Sequence, residues 1–222
     1  MSVADNLNEI YARIEDTCSK IGRNPNEIQI IAVTKYVDIN RAKEALSAGI
    51  SHLGENRNEG LNEKYTAIGS EAKWHFIGTL QTRKVKDIIG IADYIHSLDR
   101  LSLAKEISKR ADNKIDCFIQ VNTSGEESKH GMAPNEVLPF VKELESFPYI
   151  NVAGLMTMAP HTDDTGVLRQ SFRRLRELSE EVRALHLPYA PCKELSMGMS
   201  NDFEIAIEEG ATFIRIGSAL VG

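Results

Sequence analysis

The order of apolar and amphipathic segments limits the fold of this chain more than any other feature. Eight short segments have the length and composition of buried strands: 28–35, 51–54, 74–77, 94–98, 115–121, 152–158, 194–197 and 212–216. Helical segments separate them, over about 39–48, 57–68, 83–89, 101–111, 135–146, 165–186 and 201–209. A stripe of apolar residues at helical spacing predicts one further helix over 6–21, formed by Leu7, Ile10, Ile14, Cys18 and Ile21.

This alternation predicts a particular architecture. Strands that alternate with helices pair in parallel through right-handed crossovers, and eight such units are the number that closes a TIM barrel. We therefore expect an α/β protein, a single (β/α)8 TIM barrel with an extra N-terminal helix. A doubly wound open sheet is the alternative, but the first βα turn, 35–38, lacks the glycine-rich dinucleotide motif. No linker or internal repeat interrupts the pattern, so we expect residues 1–222 to form one domain.

Composition argues against several classes of protein. The net charge of −6 argues against nucleic-acid binding, and apolar stretches of strand length argue against membrane insertion. The N-terminus has no basic start followed by an apolar stretch, so we expect a cytoplasmic protein. Three widely separated cysteines, Cys18, Cys117 and Cys192, offer neither a disulfide framework nor a CxxC metal site. We expect them to be reduced, inert thiols.

Lys35 ends the apolar segment 28–35 and is the first candidate functional residue. A lysine at the end of a buried strand either reaches solvent or serves as a reactive amine at the C-terminal mouth of a barrel, where active sites collect. The segment alone favours the first interpretation. The other motifs of the chain therefore decide between the two.

The junctions after the seventh and eighth strands predict a phosphate site. After strand seven, Ser200 or Asn201 can cap the next helix, and Glu204 is placed to complete a capping box from Asn201. Gly217 and Ser218 repeat the arrangement after strand eight. Helix N-termini bind anions, and these two loops commonly hold phosphate in TIM barrels. Either junction alone is as well explained by ordinary capping, but together they favour a phosphorylated ligand.

Arg215 lies in the eighth strand, between these two junctions. Alternation along 213–217 places it on the opposite face from Ile214 and Ile216, so it points into the barrel if the isoleucines pack on the outer helices. A guanidinium there keeps its proton and must find an acceptor. A structural ion pair with an inner carboxylate and a contact to a ligand are both open at this point.

Three histidines, His52, His75 and His96, lie in or beside successive strands and raise the question of a metal site. No two of them form an HxH or HxxxH pair, and core histidines bonded to the backbone are commoner. The polar loop 122–131 after strand five suits a flexible rim of the barrel mouth.

The candidate residues together match the needs of one cofactor. Pyridoxal phosphate requires an amine for its aldehyde, helix N-termini for its phosphate and a protein group beside its ring nitrogen. Lys35, the two junctions and Arg215 can supply these, although each element alone is nonspecific. The sequence therefore predicts a pyridoxal phosphate site.

Several motifs also resemble a known family, the pyridoxal phosphate homeostasis proteins, which are related to the barrel half of alanine racemase. The similarity covers nearly the whole chain and is carried by 32–35, 54–56, 74–81, 120–122, 154–160, 196–200 and 215–218. The resemblance implies a set of cofactor-binding residues and no catalytic or metal-binding ones. That set is Lys35 as the Schiff-base lysine, Ser200, Gly217 and Ser218 on the phosphate, Arg215 at the pyridine nitrogen, and Asn56, Met156 and Ser196 lining the pocket.

Two positions depart from the family pattern. Arg83 stands where the family often has asparagine, which leaves the role of that loop open. Ser218 replaces a frequent threonine and keeps the hydroxyl.

The resemblance implies a protein that holds pyridoxal 5'-phosphate as an internal aldimine and serves intracellular homeostasis of the cofactor, and so amino and keto acid balance, without robust turnover. A pyridoxal-phosphate-dependent amino-acid racemase is the alternative, and a metal hydrolase using the three histidines is a third hypothesis. Racemisation needs bases on both faces of the cofactor. In the related racemases the second base is a tyrosine of a second domain, which we do not find here, and Tyr36 is expected on the opposite strand face from Lys35.

Partners other than the cofactor stay open. Apo-enzymes that use pyridoxal phosphate, or a regulatory protein, are the candidate classes. Without the second domain that helps racemases to dimerise, we expect a monomer.

Overall fold

Eight parallel strands close into a barrel in chain order, and β8 pairs back onto β1. The structure is a computed structural model that describes residues 2–126 and 130–222, so 127–129 of the predicted polar loop lie outside the described residues. The strands are β1 Gln29–Val33, β2 His52–Glu55, β3 Lys73–Phe76, β4 Tyr94–Leu98, β5 Ile115–Gln120, β6 Ile150–Met156, β7 Glu194–Met199 and β8 Phe213–Ile216. The predicted TIM barrel is confirmed.

Helices surround the barrel and follow the predicted order. They are α1 Val3–Ile21, α2 Ile39–Ser47, α3 Asn58–Ile68, α4 Leu101–Arg110, α5 Pro134–Glu143, α6 Thr165–Arg183, α7 Phe203–Glu208 and α8 Ser218–Val221. Short 3₁₀ helices occupy Pro25–Glu27, Gly69–Glu71, Thr82–Asp87 and Leu144–Ser146.

The segment after β3 differs from its prediction as an α-helix. It forms the 3₁₀ helix Thr82–Asp87 instead. Side chains of α3 bind its backbone, because Asn58 Nδ2 donates to the Lys84 carbonyl at 3.1 Å and Asn62 Nδ2 donates to the Asp87 carbonyl at 3.0 Å. These two hydrogen bonds tie the segment to α3.

The extra N-terminal helix α1 is present and joins both ends of the chain. Ser2 and Asp5 form a capping box at its start, and Gly22 ends it in the left-handed conformation, with φ of 68°. Its Asn6 Nδ2 donates to the Leu220 carbonyl of α8 at 2.9 Å. Four residues of the predicted apolar stripe, Leu7, Ile10, Ile14 and Cys18, belong to the core between strands and helices. The fifth, Ile21, is exposed at the last position of α1.

The space inside the barrel is filled differently from the layer outside it. A small apolar cluster of Ile31, Phe118, Met156 and Phe213 lies within the strands. Polar side chains share this interior, and His75, His96, Gln120, Ser196 and Arg215 are all buried. Such groups need hydrogen-bond partners to offset the cost of their burial.

Two expectations about whole classes of protein can be compared with the fold. All three cysteines are free and buried, and burial raises the pKa of the Cys117 thiol. Within residues 2–126 and 130–222, no helix combines the length and apolar character needed to cross a membrane.

Gly154 provides a test of the strand packing. It pairs with Glu194 of β7, and a Cβ at this position would lie 1.8 Å from the Glu194 carbonyl oxygen. We expect Gly154→Ala to lower the free energy of unfolding by about 3 kcal/mol, the upper part of the usual range for overpacking, measured by urea denaturation.

The matched control is Gly90→Ala, because a Cβ at Gly90 meets nothing within 4 Å. It should change the free energy of unfolding by less than about 0.5 kcal/mol. Equal stability of the two variants would contradict the close approach of β6 and β7.

Candidate functional site

A cavity of about 860 Å³ opens at the C-terminal ends of the strands. Its volume is in the usual range for small-molecule sites, and this end of a TIM barrel is where such sites form. Seven of the eight candidate residues line it: Lys35, Asn56, Met156, Ser200, Arg215, Gly217 and Ser218. The eighth, Ser196, is buried in β7 and contacts the Arg215 side chain.

Lys35 lies in a turn beyond the end of its strand. Because β1 ends at Val33, the side chain is exposed at the cavity, and its Nζ is 4.8 Å from the centre of the Tyr36 ring. The expectation that Tyr36 lies on the opposite face is wrong, since Tyr36 lines the same cavity. Strand alternation no longer applies past Val33, so neighbouring side chains can share one side.

A buried ion pair fixes the backbone just before Lys35. Glu55 Oε1 accepts a hydrogen bond from Thr34 Oγ1 at 2.6 Å and lies 2.9 Å from Lys64 Nζ. Thr34 is fully buried, and the Glu55 and Lys64 side chains are 1% and 7% exposed. The end of β1, the end of β2 and α3 are thereby tied together, and the turn that carries Lys35 starts from a fixed point.

The loops that follow β2 and β3 touch at the rim of the cavity. A Cβ on Gly78 would lie 2.2 Å from the Asn56 carbonyl oxygen, so glycine is needed for this approach. Asn56 is held at the cavity wall in this way. Arg83, in the 3₁₀ helix Thr82–Asp87 that also follows β3, donates from Nε to Gln81 Oε1 at 2.9 Å and does not belong to the cavity lining.

Arg215 forms the floor of the cavity and is 4% exposed. Its Nη1 donates to Ser196 Oγ at 2.7 Å, and its Nη2 donates to the Thr157 carbonyl at 2.8 Å. Burial lowers the pKa of the guanidinium to about 10, which still leaves it charged at neutral pH. Among the residues that the structure describes, no carboxylate forms an ion pair with it, so the structural ion pair considered above is absent.

The junctions after β7 and β8 bring hydroxyls and helix N-termini to the cavity. Ser200 lies beyond β7, and Ser218 is the first residue of α8. At the start of α8 the amides of Leu220 and Val221 donate to the Gly217 carbonyl, at 2.9 and 3.0 Å, whereas the amides of Ser218 and Ala219 precede these first hydrogen bonds of the helix. Hydroxyl and amide donors therefore converge on one side of the cavity.

The predicted capping box at Asn201 does not form. Helix α7 begins later, at Phe203, with Asp202 as its N-terminal cap residue. Asp202 Oδ1 accepts from the Met199 amide at 2.5 Å, and Glu204 pairs with Arg13 of α1. Burial raises the pKa of Asp202, which lines the cavity.

The three strand histidines bond to one another and not to the backbone. Their ring nitrogens make successive contacts of 2.8 Å, from His52 to His75 and from His75 to His96. These nitrogens face each other directly and leave no space for an ion between them. Over the described part of the chain, no group of three potential ligands is arranged for a metal ion.

Two residues that support the site, Thr157 and Lys64, were not predicted from the sequence. The Thr157 carbonyl belongs to a backbone position after β6 and has no side-chain signal. Lys64 did have a signal in the sequence, because it shares the inner face of α3 with Leu61 and Ile68 at helical spacing. A lysine within an apolar stripe indicates a buried partner.

The fold and the cavity define a class of protein: a TIM barrel with an amine beyond β1 and a buried arginine on β8, both facing one ligand cavity. The family model of the alanine racemase N-terminal domain matches residues 6–222. A pyridoxal phosphate homeostasis protein of Aquifex aeolicus is 41% identical over 226 residues, covering 100% of this chain and 98% of that protein. This chain belongs to the family of pyridoxal phosphate homeostasis proteins.

Solved structures agree with this relationship. The structure of PipY from Synechococcus elongatus with PLP bound has a TM-score of 0.86 and 28% identity, covering 99% of this chain and 100% of that one. An alanine racemase of Clostridium difficile has a TM-score of 0.80 and 17% identity, and this chain covers 56% of its length. The second likeness shows a shared fold alone.

The buried pair of Glu55 and Lys64 yields a prediction for stability. In Glu55→Gln, Lys64 would be left buried beside a neutral partner, which costs about 3–5 kcal/mol for a broken buried pair. Urea denaturation should show this loss. The double variant Glu55→Gln with Lys64→Met should recover most of it, since no charge then stays unpaired.

Asp16→Asn serves as the control, because Asp16 pairs with Lys20 on the exposed face of α1. It should have no measurable effect on stability. If Glu55→Gln lowered the free energy of unfolding no more than the control does, the buried pair would not hold the end of β1.

Proposed function

We propose that this protein binds pyridoxal 5'-phosphate through Lys35 and serves to hold and release the cofactor, as a homeostasis protein and not as an efficient enzyme. One observation carries the proposal: the amine of Lys35 and the buried, charged guanidinium of Arg215 line the same cavity. The name of the relatives and the PLP bound to PipY support the same ligand.

The groups around the cavity fit this cofactor. Its aldehyde condenses with a primary amine with loss of one water, and the exposed amine of Lys35 is suited to this step. The hydroxyls of Ser200 and Ser218, together with the amides of Gly217, Ser218 and Ala219, would be donors for a phosphate. Asn56 and Met156 would line the remaining wall.

Arg215 suits the ring nitrogen. Two of the five N–H donors of its guanidinium are used by Ser196 and Thr157, so donors are left for a ligand at the cavity floor. A group that can only donate hydrogen bonds favours an unprotonated ring nitrogen. The ring would then be a weak electron sink, which supports storage of the cofactor over catalysis on it.

Enzyme activity is the second candidate, and the distant likeness to alanine racemases is the observation that favours it. Tyr36 lies beside Lys35, at 4.8 Å from its Nζ to the ring centre, and brings a phenol close to that amine. Because both groups occupy the same side of the cavity, they do not form a pair of bases on opposite faces of a bound ligand.

The organisation of the protein follows from the same proposal. All eight strands belong to one closed sheet, which supports a single cofactor-binding domain over residues 1–222. The monomeric state and the cytoplasmic location stay predictions from sequence, as do apo-enzymes or a regulatory protein as partners.

Lys35→Ala tests the covalent attachment. The wild-type protein, loaded with pyridoxal phosphate and dialysed, should keep a visible absorption band that the variant lacks. Because Lys35 is exposed, we expect the variant to unfold within about 0.5 kcal/mol of the wild type. Borohydride reduction followed by peptide mass spectrometry should place the adduct on Lys35.

The control is Lys105→Ala, which removes an exposed lysine of α4 outside the cavity. This variant should keep the band. A band that survives in Lys35→Ala, or a wild type that cannot be loaded at all, would overturn the proposal.

A racemase assay separates storage from catalysis. The loaded protein, incubated with single L-amino acids, should form D-enantiomers at far below the order of 1 per second that is ordinary for enzymes. Turnover at or above that order, detected by chiral chromatography, would establish the enzyme instead.

A further inference from the structure

A chain of hydrogen bonds runs through the interior of the barrel and ends on the side chain that forms the cavity floor. His52 Nδ1 contacts His75 Nε2 at 2.8 Å, and His75 Nδ1 contacts His96 Nε2 at 2.8 Å. His96 Nδ1 lies 3.0 Å from Ser196 Oγ, which accepts from Arg215 Nη1 at 2.7 Å. Five side chains from five strands are thus joined in one line.

The stagger of the strands builds this line. His52, the first residue of β2, pairs with Lys73, so His75 lies two residues further along β3. His75 in turn pairs with Tyr94, so His96 lies two residues further along β4. Each step to the next strand therefore brings the line of hydrogen bonds further from the N-terminal end of the barrel and closer to the cavity.

Aromatic rings hold the imidazoles in place. Tyr94 stacks on His75 with 4.4 Å between ring centres and 7° between planes, and Phe118 stacks on His96 at 4.2 Å. Phe213 meets His52 edge-on at 5.5 Å. These ring contacts restrict rotation of the imidazoles.

Arg215 sets the direction of the whole chain. A guanidinium can only donate, so Ser196 Oγ is the acceptor in that contact. In the described part of the protein, His96 Nδ1 is the acceptor within reach of the Ser196 hydroxyl hydrogen. His96 then carries its proton on Nε2 and donates to His75 Nδ1, and His75 likewise donates from Nε2 to His52 Nδ1.

Burial keeps the three imidazoles neutral, as this arrangement needs. It lowers the pKa of His75 and His96 well below the usual value, and the charge of Arg215 lowers that of His96 further. Burial also lowers the pKa of His52, against the opposing effect of Asp93.

We propose that His52, His75 and His96 are positioning residues: with Ser196 they form one polarised hydrogen-bond chain that orients the Arg215 guanidinium and couples the N-terminal end of the barrel to the ligand. This inference rests on the proposed function, because it concerns the group assigned to the ring nitrogen. The half-buried imidazole of His52 is the outer end of the chain.

The chain itself can be tested without any ligand. In ¹⁵N-labelled wild-type protein, long-range ¹H–¹⁵N spectra should show the Nε2–H tautomer at all three histidines. Scalar couplings across the N–H···N bonds should join His75 Nε2 to His52 Nδ1 and His96 Nε2 to His75 Nδ1. Protons on Nδ1, or mixed tautomers, would overturn the proposed direction whether or not the protein binds pyridoxal phosphate.

Coupling to the cavity is tested from the far end. His52→Phe keeps a ring against Phe213 but removes the acceptor of the chain. The variant should move the ring ¹⁵N shifts of His96 and change the visible band of bound pyridoxal phosphate. It should also weaken the binding of pyridoxal phosphate about threefold or more, which is part of the effect of losing one hydrogen bond to a charged group. Tyr94→Phe is the matched control, since it keeps the ring that stacks on His75 and leaves the hydrogen bonds between the histidines in place.

The outcomes separate this inference from the function it rests on. Ser196→Ala, next to Arg215, should weaken binding about tenfold, which provides a second variant if His52→Phe does not fold. Equal effects of His52→Phe and Tyr94→Phe on band and affinity would overturn the coupling. Failure of the wild type to bind pyridoxal phosphate would overturn the proposed function and with it the coupling, whereas the couplings between histidines would still decide whether the chain exists.

Discussion

Pairing of β8 with β1 brings the two ends of the chain together, with Ile31 opposite Arg215 and Ala32 opposite Ile216. The loop after β1 therefore lies beside the loop after β8, and Lys35 faces the same cavity as Gly217 and Ser218. An open sheet of the same strands would leave these residues at opposite edges. Lys35, Gly217 and Ser218 line one cavity because the barrel is closed.

Two buried cations in this barrel are stabilised in different ways. Lys64 has a carboxylate partner, Glu55, and together they join strand ends to a helix. Arg215 has two neutral acceptors, a hydroxyl and a carbonyl, and keeps its charge despite a lowered pKa. A buried charge with donors left over is costly to maintain without a ligand, whereas a satisfied pair is structural. This difference is why we propose a ligand contact for Arg215 and a supporting role for Lys64.

Much of the fold was predictable because it depends on local pattern. Buried strands and amphipathic helices give periodic signals, and their alternation implies the barrel. The errors came at element ends, where tertiary contacts compete with pattern. β1 stops at Val33, which brings Tyr36 to the cavity, and Glu204 binds Arg13 of α1 in place of a cap. The 3₁₀ helix Thr82–Asp87 likewise reflects side chains of α3 that no local sequence reveals.

The sequence by itself determined the order of the elements, the strand face that Arg215 shares with Phe213 and Gly217, and the identity of the candidate ligand residues, because periodicity and motifs are local. Only the tertiary structure decided what those residues contact. Ser196 lies under Arg215 and beyond the cavity lining, and three histidines spaced as for a metal form a hydrogen-bond chain. The contacts between the histidines depend on the stagger of the strands. The contact of His96 on β4 with Ser196 on β7 joins residues that are 100 positions apart in the chain.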